Sequence, residues 1–324
     1  MTAWKCTARL HPAHPAEVHL CCSAHSLPVS ASQPSPLRVL AEPHCPGKVA
    51  SLPVRIVQGS QIIVPLWVNQ NGPYDFLVDT GAQITTVDSS LAAELQLSVQ
   101  GTTGVGGAAT HGRYNFAYLG QLRAGEKSVP DLLVVIQNLS QLKAADPRIR
   151  GILGDNFLEH FDLLIDNCER ILCLDDSNTL GLFAKVERVP LIEPYGPADD
   201  LPFTRPMIVA ASMPGFKKTP LLLRLDSGSN AAMLHAANPQ MRMMLNSRTP
   251  TLRRVVEGIE QVFAVLPGQD LQVGKHRFHE ISFVVPMNTV GNGPLPREDG
   301  VLPTIAFQRV FISPAARYAV LEPW

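Results

Sequence analysis

An aspartate closing an apolar strand, followed by a hydroxyl residue and a glycine, occurs twice in this chain. The first copy is Phe76-Leu77-Val78-Asp79-Thr80-Gly81-Ala82. The second, 147 residues on, is Leu223-Arg224-Leu225-Asp226-Ser227-Gly228-Ser229. A carboxylate at the end of a buried strand is costly unless a partner or a chemical use compensates it. A lone Asp-Thr-Gly reads as a turn, but here the surroundings repeat as well. Phe116-Ala117 and Phe263-Ala264 stand at the same distance behind their aspartates, and Gly125 and Gly274 at nearly the same, as do Leu153 and Leu302. The repeat is far longer than the roughly 20–50 residues of a solenoid unit. It predicts one fold unit built twice, giving two lobes.

The rest of the chain predicts that unit to be mostly β. Residues 61–68 and 74–78 form apolar strands around the turn signal Asn71-Gly72-Pro73. Asp79 ends the second strand, and Gly81 lets the backbone turn tightly against the carboxylate. Residues 88–95 read as a short helix capped by Asp88 or Ser89. Residues 101–112 are glycine-dense and fit a hairpin or loop; no Gly-Lys-Ser/Thr follows, so they are not a phosphate loop. Strands follow at 114–122 and 128–136 around Gly125, then a small apolar element at 151–154, a short helix at 156–161 and a hairpin to Leu174. In the second half, strands at 207–211 and 221–225 deliver Asp226, with later strands at 262–266, 270–273, 281–285, 307–312 and 318–321. Pro190, Pro194, Pro197 and Pro202 mark the join between halves.

Composition narrows the function classes. A length of 324 residues suits about two domains. The net charge of −1 gives no bulk electrostatic case for nucleic acid or an anionic membrane. No run approaches the ~18–20 apolar residues of a membrane span. Of six cysteines, four lie in the first fifty residues; their spacing matches no zinc or redox motif, and Cys168 and Cys173 read as unpaired thiols. Residues 1–51 lack apolar periodicity and a credible signal peptide, so they are expected to be disordered and outside the fold. His276-x-x-His279 reads as a solvated pair without an acidic neighbour rather than a metal site, and no metal or other cofactor is expected.

Two carboxylates brought together by such a duplication cannot both ionise cheaply, because like charges ~3 Å apart repel strongly. They share one proton, and their pKa values belong to the pair. A water held between them can lose a proton to the ionised carboxylate while the protonated one donates to a substrate carbonyl. Hydrolysis of a peptide bond needs both operations.

These residues resemble the aspartic proteases, which are two-lobed in the pepsin-like enzymes and assembled from two identical subunits in the retropepsin-like ones. Residues 76–82 with Gly-Ile-Leu-Gly-Asp-Asn-Phe-Leu at 151–158 are similar to a retropepsin-type bacterial lobe; residues 223–229 with 299–312 are similar to a second, more diverged lobe. The resemblance covers the chain from about Leu52 to Trp324. It implies a bilobal pepsin-like fold with pseudo-two-fold symmetry and a cleft between lobes at 52–185 and 186–324. It also implies an aspartic endopeptidase with Asp79 and Asp226 as the catalytic pair. Thr80 and Ser227 match the hydroxyls that brace the two loops, Gly81 and Gly228 the glycines facing the carboxylates, and Ile152-Leu153-Gly154 the element supporting the first loop. Residues 101–112 fall where a substrate-covering flap would lie, and Tyr114 sits too near the following strand to be assigned as a flap tyrosine. The partner implied is a peptide or protein substrate, the chain acting as a monomer, and similar bacterial proteins are often exported. Pro303 replaces the supporting glycine in the second lobe, and Arg224 interrupts its apolar strand, where alternation points it away from the core. The rival function is a peptide-binding scaffold of the same fold without turnover.

Overall fold

The computed structural model describes residues 5–10, 18–23, 45–46, 49–106, 111–183, 187–193, 205–214, 220–235, 244–256, 259–287 and 298–324. The chain is mostly β. At the N-terminus β1 (Lys5–Leu10) and β2 (Val18–Ser23) pair as an antiparallel hairpin. Then come β3 (Ala50–Pro53), β4 (Arg55–Val57), β5 (Gln61–Val68), β6 (Asn71–Val78), β7 (Thr86–Asp88) and α1 (Ser89–Glu94). Asp88 caps α1 by accepting from the Ser90 amide, as its position before the apolar run predicts. The chain continues through β8 (Gly101–Gly106), β9 (His111–Ala124), β10 (Lys127–Gln137), α2 (Ser140–Ala145), β11 (Ile149–Leu153) and α3 (Asp155–Leu158). It closes the first half with β12 (Asp162–Asp166), β13 (Ile171–Asp175) and α4 (Thr179–Phe183).

In the second half lie β14 (Val189–Pro190), β15 (Ile208–Ser212), β16 (Leu221–Asp226), β17 (Ala232–Leu234), β18 (Thr251–Val256), β19 (Ile259–Val273) and β20 (His276–Pro286). The strands β21 (Gly300–Pro303), β22 (Arg309–Ser313) and β23 (Tyr318–Glu322) complete it. The strand read as two pieces, 262–266 and 270–273, is one strand, β19, whose pairing with β20 shifts register between Leu266 and Leu271.

Two sheets carry the repeat. The first has the order β4-β5-β6-β11-β7-β10-β9-β8 and closes on itself through β5–β9; the second runs β15-β16-β21-β17-β20-β19-β18 and closes through β15–β19. Apart from β4, they correspond strand for strand. The direction of each pairing corresponds too. β11 runs parallel to β6 and antiparallel to β7, as β21 runs parallel to β16 and antiparallel to β17. Register agrees at the aspartates: Val78 faces Leu153, and Leu225 faces Leu302. The glycines marking the β9–β10 and β19–β20 turns take the left-handed conformation that glycine tolerates best, with φ +57° at Gly125 and +59° at Gly274. Ala117 and Ala264, one residue along from the matched phenylalanines, are both fully buried.

The β5–β6 turn differs from expectation. Asn69 and Gln70 take φ of 46° and 73°, and Val68 already faces Asn71, so the two-residue connection is Asn69-Gln70. Residues 71–73 belong to β6; the Gly-Pro signal marks the strand's first residues instead of the turn.

A third sheet, β14-β23-β22-β12-β13-β3, draws strands from both halves; Leu163 to Asp166 of β12 pair with Arg309 to Ile312 of β22. Its inner face joins the main core through Leu163, Ile165, Val310, Ile312 and Leu321.

Two expectations about the N-terminal region and the cysteines are corrected. Strands β1 and β2 lie within the segment expected to be without structure. Cys173 is not a free thiol either. It is bonded to Cys45, with the two Cα atoms 5.8 Å apart, while Cys168 remains unpaired. No spacing rule could pair them, because the bridge spans 128 residues and joins segments that the pairing of β3 with β13 brings side by side. Both sulfurs lie in a small core with Ile171, Leu180, Phe311 and Tyr318. A cross-link over so long a loop removes substantial entropy from the unfolded chain. Cys45→Ser should therefore lower unfolding free energy by about 2–5 kcal/mol, read by denaturant titration under non-reducing conditions.

Among the described residues no helix is long and apolar enough to cross a membrane.

Candidate active site

β6 delivers Asp79 and β16 delivers Asp226, each as the apolar run ends. The Asp79 amide donates to the Leu153 carbonyl at 3.0 Å, fixing the turn onto β11. Within its own turn Asp79 Oδ1 accepts from the amides of Gly81 (2.8 Å) and Ala82 (3.2 Å). Asp226 Oδ1 does the same from Gly228 (2.8 Å) and Ser229 (2.9 Å). The repeat thus extends from sequence to local bonding.

The hydroxyl residues lock the turns to each other. Thr80 Oγ1 donates to the Leu225 carbonyl (2.7 Å) and accepts from the Ser227 amide (3.0 Å). Reciprocally, Ser227 Oγ donates to the Val78 carbonyl (2.8 Å) and accepts from the Thr80 amide (3.1 Å). Both side chains are buried, so an unmade bond here costs the full desolvation of its group. The lock brings each carboxyl against the opposite glycine. A Cβ on Gly81 would stand 2.6 Å from Asp226 Oδ2, and one on Gly228 2.4 Å from Asp79 Cγ. Only residues without a side chain fit.

Asp79 and Asp226 are themselves hydrogen-bonded. Each keeps some accessible surface, yet the protein packed around it strips much of the water from its carboxyl. That burial raises Asp79 above the ordinary carboxylate range, with the turn amides and the Asp226 hydrogen bond opposing. Burial and then the charge of Asp79 push Asp226 up to about 8. The two carboxyls therefore titrate as a coupled pair.

Ile152, Leu153 and Gly154 lie behind the first turn. Leu153 is fully buried, and Ile152 packs on the small cluster of Ile63, Leu77 and Ile149. Gly154 has backbone on three sides: a Cβ would meet Ile84 C at 2.7 Å, Ala82 O at 2.8 Å and Thr85 N at 2.8 Å. Two neighbours escaped the sequence reading. Thr85 Oγ1 accepts from the Gly154 amide (3.1 Å) and donates to Asn156 Oδ1 (2.8 Å), whose amide group reaches the Leu133 carbonyl (2.7 Å). Their signal was the polar Thr85 and Asn156 on either side of an otherwise apolar packing surface. In the second half Pro303 faces Asp226 in register. Having no N–H, it cannot repeat the Gly154–Thr85 bond.

Arg224 shares the face of β16 opposite the core residues Leu221, Leu223 and Leu225, as alternation predicts, but that face is covered at this point. Arg224 is 5% exposed, its Nε donating to Glu298 Oε1 at 3.0 Å and its Nη1 lying 3.7 Å from Asp155 Oδ2. Alternation alone does not show that Glu298 and Asp155 cover the strand at Arg224, while Leu222 and Asp226 on the same face stay partly exposed.

Residues 101–106 and 111–112 fall in the β8–β9 hairpin, with Thr103 facing Tyr114; residues 107–110 lie outside the described residues. The two histidines do have acidic neighbours, contrary to expectation. His279 Nδ1 is 3.0 Å from Asp270 Oδ1, and His276 Nε2 is 3.9 Å from Glu187 Oε2. They serve different partners, and among the described residues no group of side chains could hold a metal ion.

No curated protein gives a significant match to the chain. Residues 64–157, which run from within β5 through the Asp79 turn to α3 behind Gly154, match the family model described as Aspartyl protease.

Proposed function

We propose that the chain is an aspartic endopeptidase, with Asp79 and Asp226 activating a water to hydrolyse peptide bonds. In this reading residues 52–185 and 186–324 are two related β-barrel lobes of a pepsin-like, pseudo-two-fold fold, and a peptide or protein substrate lies in the cleft between them. A single chain supplies both halves of the site, so a monomer suffices. The observation that carries the proposal is the reciprocal Thr80–Ser227 lock, which holds two hydrogen-bonded carboxyls face to face.

The chemistry follows from the shared proton. In this reading Asp226, pushed up to about 8 by burial and the charge of Asp79, keeps the proton, and Asp79 is the ionised partner. Water bound between them gives its proton to Asp79 as its oxygen attacks the substrate carbonyl carbon. Asp226 donates to the carbonyl oxygen, so the tetrahedral diol forms without free hydroxide or oxyanion. As the C–N bond breaks, Asp79 gives its proton to the departing amide nitrogen, and a diol hydroxyl gives its proton to Asp226 as the carbonyl of the new acid forms, which restores the pair. Thr80 and Ser227 keep the carboxyls at fixed separation, and the bare backbone of Gly81 and Gly228 leaves room for the water. The β8–β9 hairpin is where the family resemblance puts a cover over bound substrate. The Cys45–Cys173 bond suits an oxidising compartment and so supports export.

The test is cleavage of a diverse peptide library by the purified protein across pH 3–9. Activity should be bell-shaped and fall above about pH 8, where the last proton leaves the pair. Folded protein that cleaves nothing anywhere in this range would refute the function.

A further inference from the structure

The two halves differ most directly beneath the aspartates. Two residues before Asp79 stands Leu77, buried in an apolar cluster with Ile63 and Ile149. Two residues before Asp226 stands Arg224, buried and tied to Glu298. Its guanidinium reaches across to Asp155, the residue after Gly154 in the other half of the chain, and Asp155 is wholly inaccessible to solvent. A buried ion-pair network is a costly substitute for a leucine, and this one is incompletely bonded. Asp155 Oδ1 and Oδ2, Arg224 Nη1 and His235 Nε2 have no hydrogen-bond partner among the described residues. Such a cluster contributes poorly to stability, which points to a use for its charge.

We propose that Arg224 is a positioning residue for the Asp79–Asp226 pair, a single buried cation held by Glu298 that stabilises the negative charge the pair carries during turnover. The inference rests on the endopeptidase reading above. The groups around Arg224 define what its charge can do. Glu298 approaches from the segment before β21, Asp155 from α3, and His235 from the end of β17 with Asp299 beside it; both turn carboxyls lie within its field. Glu159 lies behind Asp155. Burial raises Glu298, but Arg224 more than offsets it and leaves that carboxyl ionised. Burial pushes Asp155 well above the ordinary carboxylate range despite Arg224, and burial lowers His235. Among these groups Arg224 is the cation whose charge acts on both Asp79 and Asp226, and it lowers each. Leu77 offers nothing comparable, so the field is asymmetric across an otherwise repeated site.

The experiment pairs activity with a titration that does not need activity: 13C NMR of the aspartate carboxyls, assigned with Asp79→Asn and Asp226→Asn, alongside the pH profile of kcat/KM. Arg224→Met should raise both titration steps and both limbs of the profile by about one pH unit, and Arg224→Lys should restore them most of the way. Glu298→Gln, nearly isosteric, should shift them the opposite way by removing the anion that offsets Arg224. It keeps the test decisive should Arg224→Met fail to fold. Carboxyl titrations that stay put in a folded Arg224→Met, or that move upward in Glu298→Gln, would overturn the inference. If the carboxyls shift as expected but the wild type cleaves no peptide, the electrostatic role stands and the endopeptidase function is what fails.

Discussion

Asp79→Asn is expected to lose at least about 10³-fold in kcat at every pH, with no recovery at acid or alkaline extremes. An amide can still accept the Gly81 and Ala82 N–H bonds through its oxygen, so the turn is preserved while the base is gone. Stability gives an independent sign. Both carboxyls bind protons more tightly folded than unfolded, since burial raises them. Their stabilising effect is fully present below the unfolded value near 4 and is lost as pH rises through the folded value, about 8 for Asp226. Wild-type Tm should therefore fall between pH 5 and pH 8. Asp79→Asn removes one of the two groups and takes the neighbouring charge away from the other, so the fall should shrink. Thermal unfolding at the two pH values measures it. An Asp79→Asn variant that cleaves as well as wild type would remove Asp79 from the mechanism, whatever its stability.

The duplication was legible because it lies in residues whose backbone geometry is demanding. Asp79-Thr80-Gly81 and Asp226-Ser227-Gly228 recur because a turn that packs its glycine onto the opposite carboxyl admits no side chain there. Gly125 and Gly274 recur because both turns need a positive φ. Those constraints are local, so they show in a single sequence. What escaped notice is non-local. The Cys45–Cys173 bond depends on β3 docking at the edge of a sheet built from both halves. The burial of Arg224 depends on Glu298, far away in the chain, pairing with its charge, and on Asp155 closing over it. Alternation sets Arg224 on the face of β16 away from Leu223 and Leu225, but only the folded chain shows that this face is covered there. The Asn69-Gln70 turn was missed for a different reason: the neighbouring Gly-Pro is the louder signal, while the positive φ angles fall on residues that adopt them less often.

Gly228→Ala should be the most damaging change that leaves every proposed catalytic side chain in place. The added methyl would sit 2.4 Å from Asp79 Cγ and 2.6 Å from each of its oxygens, far inside contact distance. Neither side can yield cheaply, because Asp79 is held by its own turn amides and Gly228 by the Ser227 lock. The turns must separate, and a displacement near 1 Å costs about 10²-fold or more in turnover. Ser227→Thr provides the contrast. Thr80 already occupies the reciprocal position with the same pair of bonds, so this variant should keep most of its activity. Ser227→Ala falls between them. It strands the Val78 carbonyl and the Thr80 amide in a buried site, for about 1–3 kcal/mol of stability. A second change separates collision from simple unfolding. Adding Asp79→Ala to Gly228→Ala removes the carboxyl that the methyl strikes, so the double variant should be more stable than Gly228→Ala alone while remaining inactive. If the double variant is instead the less stable of the two, the two turns do not meet in solution as closely as their hydrogen bonds require.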